Sequence, residues 1–188
     1  MTHRIAALAP IALCVALTAS CGFPEQGQSE AIDVNINTIP DAEPTVPVVD
    51  PQETVRVWMV SDTTLISAER TLPLPTQPTD VLAALAAGVT ADESAKGLRS
   101  AIPDSSMVID ATVAGGTAIV VLRGSFLDIP ADDQVFAVGQ IVFTLTDLRG
   151  VGRVRFEIDG EPVAVPLPNG DSSQDAVSRD DFSDLLRD

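Results

Sequence analysis

The side chains that carry most enzyme chemistry are scarce in this sequence of 188 residues. It contains one histidine (His3), two cysteines (Cys14 and Cys21) and no tyrosine. His3 and Cys14 lie in a predicted signal peptide, and Cys21 is predicted to be acylated, so the mature chain has no imidazole and no free thiol. A Ser-His-Asp triad, a Cys-His pair and a histidine-ligated zinc site are therefore excluded. The sequence predicts a protein that is not an enzyme and that holds no cofactor or metal.

Lysine and carboxylate side chains leave three weaker chemical alternatives. Lys96, the single lysine, lies in a predicted loop with serines nearby, so a Ser-Lys dyad is an unfavoured alternative. Asp132 and Asp133 could act in glycoside cleavage or bind calcium, although acids in the first turn of a helix also stabilise its dipole. Asp159 and Glu161 could bind a cation, although Asp159-Gly160 is a typical hairpin turn. The structural role is favoured for both acidic pairs.

The C-terminal residues are acidic and allow two interpretations. The aspartates there include Asp171, Asp175, Asp180, Asp181 and Asp184. Their spacing is not that of an EF-hand loop, so a solvated acidic tail is predicted rather than a calcium site. Residues 178–186 could instead form a short helix capped by Ser178, which would dock Phe182, Leu185 and Leu186.

Two features of the sequence could bind a partner. Arg153 and Arg155 lie two residues apart on one face of a predicted strand, where they could bind a carboxylate or a partner protein. Cross-strand pairing with Glu157 or Glu161 is the structural alternative. Trp58, beside a predicted edge strand, could seat a partner or ligand, although core filling is the favoured role for this side chain.

Residues 1–20 have the features of a lipoprotein signal peptide. A short polar start with Arg4 leads into the apolar stretch Ile5–Leu17, which is too short to span a bilayer but fits a signal-peptide core. Leu17–Cys21 resembles a bacterial lipobox, so Cys21 is predicted to be acylated and to become the mature N-terminus. An ordinary secretory signal is the alternative. The expected location is the extracytoplasmic face of the cell membrane, with a lipid anchor.

A tether and an acidic domain follow the predicted signal peptide. Residues 21–53 contain the acylated cysteine and a proline-rich tether, and residues 54–188 contain the folded domain with its acidic tail. Loss of Arg4, one of 11 basic residues, leaves 10 against 27 acidic ones, a formal net charge of −17. Such a field repels nucleic acid and anionic headgroups and suits a basic partner, so no nucleic-acid partner is expected.

The domain is organised around a predicted central hairpin, Met107–Leu122, which turns at Gly115-Gly116. The second arm is apolar on both faces and is expected to be a central strand. On the first arm, one face is apolar and the other is mixed, because Met107, Ile109, Ala111 and Val113 alternate with Val108, Asp110 and Thr112.

The other predicted elements complete an α+β fold. They are strands at Thr54–Val60, Leu65–Leu74, Val151–Ile158 and Glu161–Val165, a short helix up to Gly88 with Thr79 as N-cap, and a long helix over Pro130–Arg149. Prolines at the end of Leu65–Leu74 favour a sheet edge for this strand. The order β-β-α-β-β-α-β-β predicts a small mixed β-sheet with two main helices packed on one face.

Residues 54–165 resemble the GerMN domain of the sporulation and spore germination type. The resemblance rests on Gly97–Pro103 before the Gly-Gly hairpin, the long helix after it, and the final Phe156–Pro162, in this order. It implies a single GerMN-like domain with a fold similar to the ring-building modules of secretion-like assemblies. GerMN domains occur in bacterial envelope lipoproteins, so the resemblance implies an extracytoplasmic interaction module with no catalytic residues to carry over.

These observations predict a lipid-anchored envelope protein that acts by docking to another envelope protein. The edge strand Leu65–Leu74 or the strand face of Arg153 and Arg155 is the expected docking surface. The alternative function is binding of a small ligand or a cell-wall polymer on a sheet face near Trp58.

Overall fold

The computed structural model describes residues 50–186, which belong to one compact unit. The predicted signal peptide, Cys21 and nearly all of the tether lie outside the described residues. No helix within this range is long and apolar enough to cross a membrane.

The described chain contains nine strands and three α-helices. The strands are β1 (Gln52–Ser61), β2 (Thr64–Pro73), β3 (Leu98–Arg99), β4 (Val108–Ala114), β5 (Thr117–Leu122), β6 (Arg153–Ile158), β7 (Glu161–Pro162), β8 (Val165–Pro166) and β9 (Ser172–Ser173). The helices are α1 (Pro78–Ala86), α2 (Ala91–Ala95) and α3 (Ala131–Thr146). Short 3₁₀ segments at Ser105–Met107, Gly124–Asp128 and Arg179–Leu185 complete the fold.

The predicted α+β class is confirmed, with the strands divided among several sheets instead of one. The sheet orders are β2-β1-β3, β4-β5-β6-β7 and β8-β9. The four-stranded sheet is mixed, because β5 pairs antiparallel with β4 and parallel with β6. Since β5 is flanked on both sides, the second hairpin arm is a central strand, as predicted.

Helix α3 forms the centre of the core. It contacts β1 in one sheet and β6 in another, and every residue from Ala137 to Leu145 is buried. The sequence predicts this helix correctly, although it begins and ends a few residues inside the predicted range. Burial on all sides is typical of a helix covered by several layers of structure.

The Gly-Gly hairpin is confirmed, but the apolar face of its first arm is fully buried only at Ala111, which is 3% exposed. Gly115 and Gly116 have φ values of 57° and 80°, which suit a primed two-residue turn. Ile109 and Val113 are 48% and 42% exposed. A shift in register between Val108 and Asp110 displaces Ile109 from the alternation, and β4 lies at the edge of its sheet, where Val113 is left uncovered.

The first helix begins earlier than predicted and gives Thr79 a different role. Its N-cap is Gln77, whose backbone N–H donates to the Asp80 carboxylate at 2.9 Å. Thr79 Oγ1 instead donates to the carbonyl of Ala111, at 3.0 Å, and contacts the Asp110 carboxylate. The side chain thus occupies backbone groups on the free edge of β4.

The C-terminal residues are not a solvated tail. Their aspartates are exposed, but Val177, Phe182 and Leu185 are buried in the core. Ser178 is the N-cap of the terminal segment, as predicted, although that segment is a 3₁₀ helix. Its position is possible because Gly139 of α3 has no side chain, and a Cβ there would lie 2.8 Å from Leu185 Cδ1.

A predicted loop at residues 90–96 contains the helix α2, which is tied to β2 by an ion pair. Arg70 donates from Nη1 and Nη2 to the two carboxylate oxygens of Glu93, both at 2.7 Å, and to the Gly88 carbonyl at 3.0 Å. Thr90 and Glu93 form the capping box of α2. The hydrogen bonds from Arg70 lower the pKa of the Glu93 carboxyl from 4.5 to about 2.

We expect Glu93→Gln to remove an acid-sensitive contribution to stability. The pKa is lower in the folded state, so the contribution is present above about pH 4.5 and is lost as the pH falls towards 2. At pH 7 the variant should be less stable by about 1 kcal/mol, a value discounted for solvent screening, and the difference should vanish near pH 2. Urea unfolding at pH 7, 4.5, 3 and 2 measures it. Asp92→Asn, an exposed neighbour, is the control; a pH-independent difference for Glu93→Gln would contradict the prediction.

Candidate binding site

The four-stranded sheet has one face in the core and one outer face that no helix of residues 50–186 covers. Ala118, Val120 and Leu122 of β5 point into the core with Val154 and Phe156 of β6. The residues between them therefore point the other way. The outer face consists of Thr112, Thr117, Ile119, Val121, Arg153, Arg155 and Glu157, all of which are exposed or half-buried.

The register places Arg153 and Arg155 beside the middle of this outer face. Arg153 lies opposite Thr117, and Arg155 lies opposite Ile119. On the far side of β5, Ile119 is paired with Thr112. The two arginines therefore border a strip of small and β-branched side chains, a surface that another protein can contact closely.

Neither arginine is neutralised by a carboxylate within the described chain. The ion pairs at 4.0 Å or less are Arg56–Asp147, Arg70–Glu93, Arg99–Asp133 and Arg179–Asp147. The cross-strand pairing of Arg153 and Arg155 with Glu157 or Glu161 is therefore not observed. Two arginines against one carboxylate, that of Glu157, give this outer face a net positive charge on a protein of formal charge −16, which makes it locally basic.

Trp58 lies in a different sheet, in a cluster closed by the C-terminal segment. Its indole Nε1 donates to Asp147 Oδ2 at 2.9 Å, and its ring centroid is 5.0 Å from that of Phe143. Arg179 Cζ lies 5.3 Å from the Trp58 centroid and 4.8 Å from the Phe143 centroid. Asp147, with a side chain 8% exposed, also pairs with Arg179 at 3.0 Å and Arg56 at 3.2 Å.

This cluster assigns Trp58 mainly to packing. The arginine that covers it could not be predicted from local pattern, because Arg179 lies 121 positions away in a segment interpreted as a tail. Asp147 lies on the helix face that also carries Gln140 and Thr144. This spacing of polar residues is the sequence feature that could have indicated a role for Asp147 inside the fold. The structure does not bring Trp58 together with Arg153 and Arg155.

The predicted edge strand is confirmed, with one end occupied. β2 pairs with β1 on one side. Its other side meets only an isolated parallel bridge between Leu65 and Leu186 within residues 50–186. The Glu69 carbonyl on that edge also accepts from Arg70 Nη1 at 2.8 Å, so only part of the edge is left for pairing among residues 50–186.

The acidic pairs take the structural roles that were favoured for them. Asp132 and Asp133 lie in the first turn of α3, and Asp133 pairs with Arg99 at 2.8 Å. Asp159 forms the turn between β6 and β7 with a φ of 55°. In the part of the chain that the structure describes, no three histidine, cysteine or acidic side chains are grouped as a metal site.

Comparison with known families and structures agrees with the fold. The Germane family model, described as sporulation and spore germination, matches residues 45–164. The chain is similar to the structure of the tandem GerMN domains of the sporulation protein GerM from Bacillus subtilis, with 20% identity and a TM-score of 0.52. That match covers 69% of this chain and 47% of that one.

The first GerMN domain of GerM alone gives a match of the same quality. Identity is 22% and the TM-score is 0.51, over 68% of this chain and 98% of that domain. The chain thus spans about half the length of the tandem structure. At these identities the likeness shows the fold alone. No curated protein matches the sequence.

Proposed function

Because this chain belongs to the sporulation and spore germination family, we propose that it is a non-catalytic protein-interaction module of the bacterial cell envelope. We propose further that Cys21 is acylated and holds the domain at the extracytoplasmic face of the membrane. Families of this type are not known as enzymatic, and the absence of histidine after His3 agrees with that. The partner is another envelope protein.

The outer face of the four-stranded sheet is the observation that carries this proposal. It joins an apolar strip at Ile119 and Val121 to two unneutralised arginines, Arg153 and Arg155. A docking surface of this kind combines contact area with charges that select the partner. Its partner should present carboxylates opposite the arginines.

The surface near Trp58 is less suited to ligand binding, the alternative function. Arg179 already covers the indole, and Asp147 already accepts its N–H. A ligand there would have to displace the C-terminal segment, whose Phe182 is fully buried. This cost favours the outer face of the larger sheet over the Trp58 cluster as the binding surface.

We expect reversal of both charges to abolish partner capture. Full-length protein is cross-linked in cells and purified from detergent-solubilised membranes, with Arg153→Glu/Arg155→Glu beside the native sequence. Since like charges across an interface cost several kcal/mol, capture of a specific envelope protein should fall at least about tenfold.

Two controls define the experiment. Lys96→Glu reverses one charge, half the total change of the double variant, at an exposed position outside the outer face and should leave capture unchanged. Cys21→Ser should release the protein from membranes, and its retention there would refute the lipid anchor. Equal capture by the double variant, or recovery of wall material without a protein, would refute docking through this face.

A further inference from the structure

The C-terminal segment, residues 177–186, connects the two larger sheets across α3. At its start Val177 pairs with Val154 of β6, and at its end Leu186 forms a bridge with Leu65 of β2. The segment lies beyond the range matched by the family model, which ends at residue 164. Its contacts with β6 bear directly on the outer face.

The segment pairs with the strand that carries Arg153 and Arg155. The N–H of Val154 donates to the Val177 carbonyl at 2.8 Å, and the N–H of Val177 donates to the Val154 carbonyl at 2.9 Å. The other side of β6 pairs with β5. At Val154, between the two arginines, β6 is therefore bonded on both sides as an interior strand.

The same pairing makes the segment a border of the outer face. Val154 and Val177 both point into the core, where they are 0% and 3% exposed. Ser178 follows in an extended conformation, with a φ of −126° and a ψ of 177°, so its side chain points to the opposite side, that of the outer face. The antiparallel register places Ser178 opposite Arg153.

Arg179 anchors the segment directly after this border. Its guanidinium lies over the rings of Trp58 and Phe143 and pairs with Asp147 at 3.0 Å. In residues 50–186, the buried Nε of the same side chain has no hydrogen-bond partner. Because an unsatisfied buried donor costs free energy, it offsets part of what the anchor contributes.

The remaining contacts of the segment are apolar. Phe182 and Leu185 are buried, and Leu185 lies against Gly139, where α3 has no side chain. The segment itself is a 3₁₀ helix, whose hydrogen bonds have poorer geometry than those of an α-helix. A terminal element of this kind opens as one unit, at a lower free energy than the core that it covers.

We propose that the C-terminal segment regulates the outer face, which binds its partner only while the segment is docked on β6. This inference rests on the proposed docking through Arg153 and Arg155. Undocking removes both hydrogen bonds at Val154 and so loosens the strand that positions the two arginines. Because the partner binds the docked form, its apparent affinity falls in proportion to the docked fraction.

Hydrogen exchange by NMR on the mature chain with Cys21→Ser tests the link to β6 without a partner. Arg179→Glu places a carboxylate beside Asp147 and undocks the segment, so the amides of Val177 and Arg155 should exchange at least about tenfold faster. The amides that join β1 to β2 should keep their rates, which shows that the domain stays folded. Lys96→Glu makes the same charge change at an exposed position and should alter none of these rates.

Two further variants keep the test independent of a folding defect. Arg179→Gln removes the charge without adding another and should give the same changes at smaller size. A disulfide formed by Val154→Cys and Val177→Cys holds the segment on β6, since facing residues of an antiparallel pair lie within the distance that a disulfide spans. Added to Arg179→Glu, this disulfide should restore slow exchange at Arg155.

Partner capture in cells, measured as for the charge reversal, tests the regulation itself. Arg179→Glu should lower capture at least about threefold although Arg153 and Arg155 are both present. The disulfide between positions 154 and 177 should restore capture to this variant. Lys96→Glu again serves as the control of equal charge change.

Two results would overturn the inference. The first is unchanged exchange at Arg155 beside fast exchange at Val177, because the segment would then undock without loosening β6. The second is full capture by Arg179→Glu where Arg153→Glu/Arg155→Glu abolishes it, so that docking stands and its regulation fails. Capture that neither set of substitutions lowers contradicts the proposed docking itself, and the regulation with it.

Discussion

Gln140→Leu is expected to lower the free energy of unfolding by about 3 kcal/mol, because it leaves two backbone groups without partners. Gln140 is fully buried in α3. Its Oε1 accepts from the N–H of Ala101 at 2.7 Å, and its Nε2 donates to the carbonyl of Trp58 at 2.7 Å. One side chain thus joins the helix to β1 and to the segment before β4. Urea unfolding of the mature chain with Cys21→Ser measures the loss.

The control for this prediction is the same substitution elsewhere on the same helix. Gln134 makes one half-buried bond, from Nε2 to the Phe126 carbonyl at 3.2 Å. Gln134→Leu should therefore cost about 1 kcal/mol or less. If the two variants lose equal free energies of unfolding, the buried hydrogen bonds of Gln140 contribute no more to stability than the half-buried bond of Gln134.

Asp147→Ala is expected to lower the free energy of unfolding by about 2 kcal/mol, because it removes the shared acceptor of three side chains. Trp58 Nε1 would lose its 2.9 Å hydrogen bond, and Arg179 would lose its counter-charge while remaining over two rings. Arg56 is exposed and contributes little. Denaturant unfolding of the same parent chain measures the change.

Two further variants separate the causes of that loss. Asp147→Asn keeps an acceptor for the indole and removes the charge, so its loss should be about half as large. Asp133 lies in the first turn of α3 and forms an exposed ion pair with Arg99 of β3. Asp133→Ala breaks this pair and should lower the free energy of unfolding by about 1 kcal/mol or less. If Asp147→Ala costs no more than Asp133→Ala, the cluster is not a stabilising unit.

The sequence predicted the fold where local chemistry decides the structure. Gly115-Gly116 and Asp159-Gly160 allow turns that other residues resist, and both turns occur with positive φ. The long helix could be predicted from the helical spacing of its polar and apolar residues. Pro130 and the acidic residues after it mark its start. These features depend on neighbours in the chain and are visible without a structure.

The predictions that differ from the structure concern residues whose burial depends on contacts with distant parts of the chain. Ile109 and Val113 alternate as a buried face would, but a register shift and an edge position expose them. The C-terminal aspartates suggested a solvated tail because composition does not show Phe182 docking beside Gly139. Tertiary contacts override local pattern at such positions.

The candidate site was predicted in part. The alternation of β6 was sufficient to place Arg153 and Arg155 on one strand face. The absence of an ion pair to either arginine within residues 50–186, by contrast, depends on the parallel pairing with β5, which the sequence does not specify.

The arrangement around Trp58 also makes the protein its own optical probe. Trp58 is the single tryptophan, and the chain has no tyrosine, so nearly all of its near-ultraviolet emission arises from one indole. That indole is bonded to Asp147 and covered by Arg179 of the C-terminal segment. Its emission wavelength and its accessibility to quenchers therefore report the docking of the last residues on the domain, without any attached label.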